Sequence, residues 1–275
     1  MRPSRQSSGT FGGKLGVLLR HWRDVRGKSQ LELSFDTGVS QRHLSFIESG
    51  RSAPSRQTLL NIAQALDVPF RDRNELLVAA GFAPVYKEAA WNAGEMRSVS
   101  RALERVLRHH EPYPAIVKDR YWNVFMRNAA APRFFNAFFD LDARPEPRNM
   151  LHLMFDPAAM RPFLVNWEEA SRSLIRRIHR EAVGHTLDDR TRDLLAALLA
   201  YPDVDPRLRI TYAEDPEPAL PMVPLSFAKD GQVLRYFSMV TTVGTPETIA
   251  TQELRIESMF PADEATEAAH RRLIG

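Results

Sequence analysis

Between Val39 and Ser55 the chain places an amide, a guanidinium and several hydroxyls at helical spacing. Gln41, Arg42, Ser45 and Ser49, with Phe46 beside them, point away from Leu44 and Ile47, which lie three apart and share the other face. Such groups on an outward helix face pair with base edges in a DNA major groove, so the chemistry they suit is hydrogen-bonded recognition. Gln41, Arg42, Ser45 and Phe46 are the expected base contacts. Phe46 either meets a thymine methyl or packs on a neighbouring side chain. Arg51 and Arg56 flank the exit loop and, with Ser40, are expected to meet phosphates, which position a protein without specifying sequence.

Bond-making chemistry finds less support. The suggestive groupings are His109-His110-Glu111, His152, and His179 with Glu181 and His185. None has the i, i+4 histidine pair with an intervening glutamate that a zinc hydrolase sets on one helical face. His109 and His110 would point about 100° apart on a helix, too far to share a metal. The chain has no phosphate-binding glycine loop, no Gly-x-Ser-x-Gly elbow and no cysteine. No catalytic residue, metal or cofactor is expected, and disulfides and thiol redox sensing are excluded.

The elements that must hold the polar segment are legible around it. Leu15, Leu18, Leu19 and Trp22 recur at i, i+3, i+4 and i+7 and predict a helix from Lys14 to about Arg26, stopped at Gly27. Ser29 with Glu32 makes a capping box that opens a second helix through Thr37. Gly38 suits the positive φ of a tight turn, Ser40 caps the recognition helix and Gly50 ends it. After Pro54, Leu59, Leu60, Ile62, Ala63 and Leu66 predict a fourth helix, and Leu76, Leu77 and Ala80 before Gly81 a fifth. The expectation is a five-helix, all-α helix-turn-helix domain over residues 14–83.

Charge follows the same division. Residues 1–83 carry 12 Lys+Arg against 7 Asp+Glu, a net +5, and residues 84–275 carry 25 against 27, a net −2. Basicity on the helical head favours a polyanionic partner. Residues 1–13 read as a flexible arm. With 275 residues the chain leaves nearly 190 for a second core. No apolar run approaches the ~20 residues of a membrane helix and the N-terminus is polar, so a soluble, cytoplasmic protein is expected.

Residues 84–111 read as a linker and a connecting helix with Val99, Leu103, Val106 and Leu107 on one side, which either joins two protomers or docks on the second domain. Residues 112–275 change to mixed α and β. Strands are expected over 114–118 and 121–126, then 223–228, 233–243 after the turn Lys229-Asp230-Gly231, and 254–260. Between them Asn128 can cap a helix holding Phe134, Phe135, Phe138 and Phe139, and further helices are expected over 166–182 and 187–200. An α+β domain follows. Its Trp122, Phe125, Phe134, Phe138, Met154 and Trp167 are the apolar stock of a core or of a ligand pocket; Tyr121, Arg127 and Arg133 are candidate partners for a carboxylate.

Two resemblances sharpen this reading. The run Ser29-Gln30-Leu31-Glu32-Leu33, then Gly38-Val39-Ser40 and Leu44-Ser45-Phe46-Ile47-Glu48-Ser49-Gly50-Arg51, closely resembles the DNA-binding domain of the Xre and phage-repressor family across all five helices. The resemblance implies that Gln30 holds a phosphate, that Gln41 and Arg42 touch bases, and that Arg23 and Glu48 form a buried structural ion pair. The second half, through Tyr113-Pro114-Ala115, Arg127-Asn128-Ala129-Ala130, Asn149-Met150-Leu151, Met154-Phe155 and Trp167, resembles the PAS-like ligand-binding domain of MmyB-like regulators. That implies an apolar pocket for a fatty-acid-like molecule, here assigned Trp122, Phe125, Asn128, Phe134, Phe138, Met154 and Trp167. The sequence thus predicts a transcriptional regulator that binds a double-stranded DNA operator as a homodimer under control of such a ligand. The alternative is a regulator whose second domain is a dimerisation or protein-interaction module without a ligand.

Overall fold

The computed structural model describes residues 9–88, 94–183, 188–209 and 224–275. Two compact units emerge, one built mainly from the chain up to Glu88 and the other from Ala89–Ala182, Leu187–Pro246 and Glu253–Gly275.

The first unit is helical: α1 (Gly9–Val25), α2 (Gln30–Thr37), α3 (Gln41–Glu48), α4 (Arg56–Ala65) and α5 (Phe70–Ala79). Each boundary has a local cause. Ser29 Oγ accepts from Glu32 N at 3.1 Å while Glu32 Oε2 accepts from Ser29 N at 2.7 Å, a closed capping box. Gly38 and Gly50 take φ of +69° and +72°, the left-handed conformation that lets the chain leave α2 and α3 sharply. Ser40 accepts from His43 N at the start of α3. The α1 helix begins at Gly9, not Lys14, so the last residues of the expected arm are helical, while residues 1–8 lie outside the described residues. Once Leu15 and Leu19 anchor the helix, each added residue gains a backbone bond, and glycine only weakens that gain. Leu15, Leu19, Trp22, Leu33, Leu44, Ile47 and Leu59, all at most 4 % exposed, close one core.

The second unit is organised by an antiparallel five-stranded sheet in the order β2-β1-β5-β4-β3, with β1 Ala115–Lys118, β2 Val124–Arg127, β3 Pro224–Lys229, β4 Gln232–Thr242 and β5 Arg255–Pro261. Its helices are α6 (Arg97–His109), α7 (Ala130–Asn136), α8 (Met150–Phe155), α9 (Trp167–Val183), α10 (Asp189–Leu199) and α12 (Glu264–Ile274); the short α11 (Ile249–Glu253) lies between β4 and β5 in the chain. The inner strand β1, between β2 and β5, is buried on both faces. On one face Ala115 and Val117 meet Leu103 and Leu107 of α6, together with Leu254 and Ile256. On the other, Ile116 joins the large core of Phe134, Phe155, Ile175, Phe227 and Tyr236. Asp230 and Gly231, with φ of +49° and +76°, make the tight β3–β4 hairpin that their types suggest.

The second unit differs from the sequence expectation in several places. The second strand starts at Val124, because Asp119 Oδ1 accepts from the amides of Tyr121 and Asn123 and folds residues 119–123 into a turn. Trp122 is thereby held at φ +68° with its indole only 2 % exposed. Helices α8, α11 and α12 are absent from the sequence expectation, and the helix expected to hold Phe134, Phe135, Phe138 and Phe139 ends at Asn136, so Phe138 and Phe139 lie beyond it. The buried face of α12 is Thr266, Ala269 and His270, small or polar groups that leave no hydrophobic period to read. Among the described residues no helix is long and apolar enough to cross a membrane.

Candidate nucleic-acid interface and apolar cavity

In the first unit α3 is pinned from below. Leu44 and Ile47 are buried, and Glu48, whose side chain is 4 % exposed, receives Arg23 Nε at 2.8 Å, Arg23 Nη2 at 3.3 Å and Gln30 Nε2 at 2.9 Å, with Arg20 Nε 3.7 Å away. Burial alone would raise the Glu48 carboxyl, but the hydrogen bonds from Arg23 and Gln30 and the charges of Arg23 and Arg20 outweigh it and hold the group below its ordinary value. Arg23 is raised in turn, chiefly by its bond to Glu48. The pair fixes α3 against α1 and leaves the far face of α3 outside.

That face carries the groups the sequence placed there. Gln41 and Arg42 are exposed, and Ser45 and Phe46 are half-buried beside them. The Phe46 ring lies 5.3 Å from the Arg42 guanidinium and 5.9 Å from that of Arg51, so it packs as a platform that spaces two cations. Arg51 and Arg56 are exposed, and among the described residues neither they nor Arg42 has an ion-pair partner. By contrast, Arg26 is tied to the carbonyls of Leu66 and Asp67, and Lys28 to Asp36. Gln30, expected on a phosphate, spends one amide bond on Glu48, and Ser40 spends its hydroxyl on the α3 cap.

Gly16 was missed by the sequence reading. A Cβ there would lie 2.1 Å from the Glu48 carbonyl oxygen, so only glycine lets α1 and α3 approach this closely. The signal was a glycine inside an otherwise strongly periodic helix, which costs stability unless close packing requires it.

In the second unit a cavity of about 40 Å³ lies on the core face of the sheet. Trp122, Phe135, Met150, Met154, Phe227 and Met259 supply its apolar wall, and Ser238 and Glu257 its polar edge. Strand register explains that edge. Ile116 of β1 stands opposite Glu257 of β5, and Ser238 of β4 opposite Met259, so Lys118, Glu257 and Ser238 run diagonally across three strands on one face. Ser238 Oγ donates to Glu257 Oε1 at 2.9 Å; Arg177 Nη1 lies 3.3 Å from the same oxygen and Lys118 Nζ 3.4 Å from Oε2. Burial pushes the Glu257 carboxyl up, but the Lys118 and Arg177 charges and the Ser238 bond bring it below its ordinary value. Lys118 Nζ also sits 3.0 Å from the Trp122 ring centre and the Arg177 guanidinium 4.5 Å from it. Two buried atoms here have no hydrogen-bond partner, Trp122 Nε1 and Glu257 Oε2, and both belong to the cavity's lining residues.

Of the seven residues assigned to a pocket, the structure brings Trp122 and Met154 to this wall. Phe125 does not line it, being 42 % exposed on the edge strand β2. Asn128 is structural: its Oδ1 accepts from the amides of Ala115 and Ala131, and its Nδ2 donates to the Tyr113 carbonyl. Phe134 and Phe138 pack on each other and on Phe227 inside the core. Trp167 stacks edge-on against Phe155 and donates to the Asp203 carbonyl, so its polar atom is spent. Nor do the candidate carboxylate partners reach the cavity: Tyr121 bonds Asp188, Arg127 pairs with Glu146, and Arg133 is exposed. The residues that do form the polar edge are far apart in sequence, and their spacing carries no pattern. Among the described residues no cluster of metal-ligating side chains occurs.

Comparison with known proteins covers both units. Residues 99–273 match the family model of the MmyB-like transcription regulator ligand binding domain, and residues 19–72 match a helix-turn-helix model. The helix-turn-helix part is similar to the ImmF control region 10 kDa protein of Bacillus phage phi105, 42 % identical over 52 residues. That match covers 19 % of this chain and 58 % of the phage protein, so the chain spans little more than half the length of this curated relative.

Proposed function

Since the chain belongs to the MmyB-like transcription regulators, we propose that α3 reads operator DNA in the major groove and that a small apolar molecule in the second unit adjusts this binding. The observation that carries the first half is the outward face of α3, where Gln41 and an unpaired Arg42 stand over Phe46 on a helix pinned by Glu48. Gln41, Arg42, Ser45 and Phe46 are the base contacts; Arg51 and Arg56, with Ser40 and the second amide proton of Gln30, meet phosphates. One short helix reads too few base pairs for useful specificity. The protein therefore binds as a homodimer on two half-sites about 34 Å apart. Selection of duplexes from a random library, repeated with Arg42→Ala, tests this: loss of the selected sequence supports it, and an unchanged selection sinks it.

The second half rests on the cavity. Its Trp122 N–H lacks a hydrogen-bond acceptor, and two cations, Lys118 and Arg177, face the single Glu257 carboxylate, leaving one positive charge in excess, which suits an acyl chain ending in a carboxylate, a fatty-acid-like ligand. At about 40 Å³ the space holds a few waters, whereas pockets for such ligands run to about 300 Å³ or more. Binding then needs the flexible walls Met150, Met154 and Met259 to repack. We read the sheet order as PAS-like, with the ligand lodged between sheet and helices. Native mass spectrometry of the purified chain with solvent extraction tests the ligand: an acyl species on each protomer supports it. A clean apo dimer would favour the reading in which the second unit is an interaction module, toward which the exposed Met239 and Val240 of β4 also point.

A further inference from the structure

The apolar face of α6 is spent on the sheet, Leu103 and Leu107 being 4 % and 2 % exposed. Its opposite face is a row of arginines. Arg97, Arg101, Arg105 and Arg108 stand at i, i+4, i+8 and i+11, so on a helix of 100° per residue they fall within about 80° of arc. All four are exposed. One acidic group, Glu104, shares this face, and the exposed His109 lies at its margin. Among the described residues none of the four arginines nor Glu104 has an ion-pair partner, and the one side-chain bond in the row runs from Arg97 Nε to the Gly94 carbonyl. Like charges at i, i+4 cost a helix a few tenths of a kcal/mol per pair. Arg97 with Arg101 and Arg101 with Arg105 are two such pairs, a small cost for which the described residues show no compensating ion pair.

We propose that this ridge of α6 is a second DNA-binding surface, one that contacts the phosphate backbone and is distinct from the base-reading helix. The proposal rests on the reading that the first unit binds DNA. Residues four apart rise about 6 Å along a helix, and one strand of DNA presents a phosphate every ~3.4 Å of axis, so successive arginines can meet about every second phosphate. A membrane surface fits less well, because an interfacial helix needs its apolar face free to enter the lipid, and here that face is covered. Only phosphate contact is assigned, so the ridge adds affinity without sequence preference.

The test uses the full chain and two duplexes, one selected by the unmodified protein from a random library and one unrelated. Affinity is followed against NaCl concentration for the variant Arg101→Gln/Arg105→Gln/Arg108→Gln. Each lost phosphate contact lowers the log–log salt slope by about 0.9, so the slope should fall by about 2 to 3 on both duplexes with the selected sequence still preferred. Arg133→Gln/Arg271→Gln/Arg272→Gln removes the same charge from exposed positions elsewhere and should leave the slope alone. All six side chains are exposed, so circular dichroism and melting should match the unmodified chain. A triple α6 variant with an unchanged slope overturns the proposal, as does an equal fall in the control variant. Loss of binding to phosphatidylglycerol vesicles with the DNA slope kept would reassign the ridge to lipid and overturn it also. If the unmodified chain selects no duplex at all, the failure lies with the reading of the first unit.

Discussion

Each unit buries a glutamate among cations, yet the two are finished differently. Glu48 receives three hydrogen bonds from Arg23 and Gln30, with Arg20 nearby, and both its oxygens are bonded. Glu257 holds Ser238 and two cations, but its Oε2 and the neighbouring Trp122 Nε1 lack hydrogen-bond partners, and both residues line the cavity. Buried polar groups are normally satisfied, because a missing bond costs about 1–3 kcal/mol. A closed network therefore suits a scaffold, and an open one beside a cavity is consistent with the proposed ligand site. The proposed recognition helix stands on the first kind of site and the proposed ligand meets the second.

The comparison breaks most visibly at Gly16. Gly16→Ala puts a methyl against the α3 backbone at Glu48, where no side chain can yield, and should cost the first unit about 3 kcal/mol or more. Thermal melting of the full chain should show that unit's transition falling with DNA binding lost, and an unchanged transition would mean that the helices are not this close. Glu48→Gln keeps the shape but leaves the Arg23 charge without its partner, and should cost about 3 kcal/mol. A loss under about 1 kcal/mol would show that the pair is a surface-grade contact.

The open site should respond to a molecule that the closed one ignores. Decanoic acid at a hundred times its dissociation constant should stabilise the second unit by about 2.7 kcal/mol and leave the first transition in place. Met154→Phe, which narrows the cavity, should remove the response. If both transitions move, or neither does, the assignment of the open site to a ligand is wrong. Smaller again are the effects on DNA. Arg42→Ala should cost about 1–3 kcal/mol on the selected duplex and relax its sequence, while Arg51→Ala should weaken all duplexes alike and lower the salt slope by about 1. Interchange of those two outcomes would move the recognition surface off α3.

The two units also differ in how much their sequence discloses. The Ser29 and Glu32 box, the turn at Gly38, the Ser40 cap and the exit at Gly50 join residues a few positions apart, so local residue types decide them. The Arg23–Glu48 pair was reachable only through family resemblance. In the second unit strands could be read from their residue types, but the cavity edge joins Lys118, Arg177, Ser238 and Glu257, which meet only after β1, β5 and β4 pair. The aromatics chosen for a pocket were mostly core, since Phe134 and Phe138 have the same apolar surface whether they face a ligand or each other. Trp122 was recognised as a candidate, but the turn that aims it depends on Asp119 capturing two amides, which periodicity does not register.

The mildest test is acidity. In the second unit His152, His179 and His270 are all lowered by burial; His270 is fully buried between the Tyr236 hydroxyl and the Pro112 carbonyl. A histidine whose folded value lies below its unfolded one binds fewer protons when folded, so its unit is destabilised as pH falls through and below the ordinary value near 6.5. In the first unit the shifted carboxyls are Glu32 and Glu48, both held low, so their contribution is fully present above the ordinary value of 4.5 and is lost only as pH falls below that. Between pH 7.5 and 5.5, values chosen to straddle roughly the histidine range, the second transition should therefore drop while the first stays. Calorimetry of the full chain at several pH values reads both. A first transition that falls earlier than the second would mean that the first unit has an acid-labile element other than Glu32 and Glu48, and the contrast between the closed and the open network would not explain how the two units respond to protons.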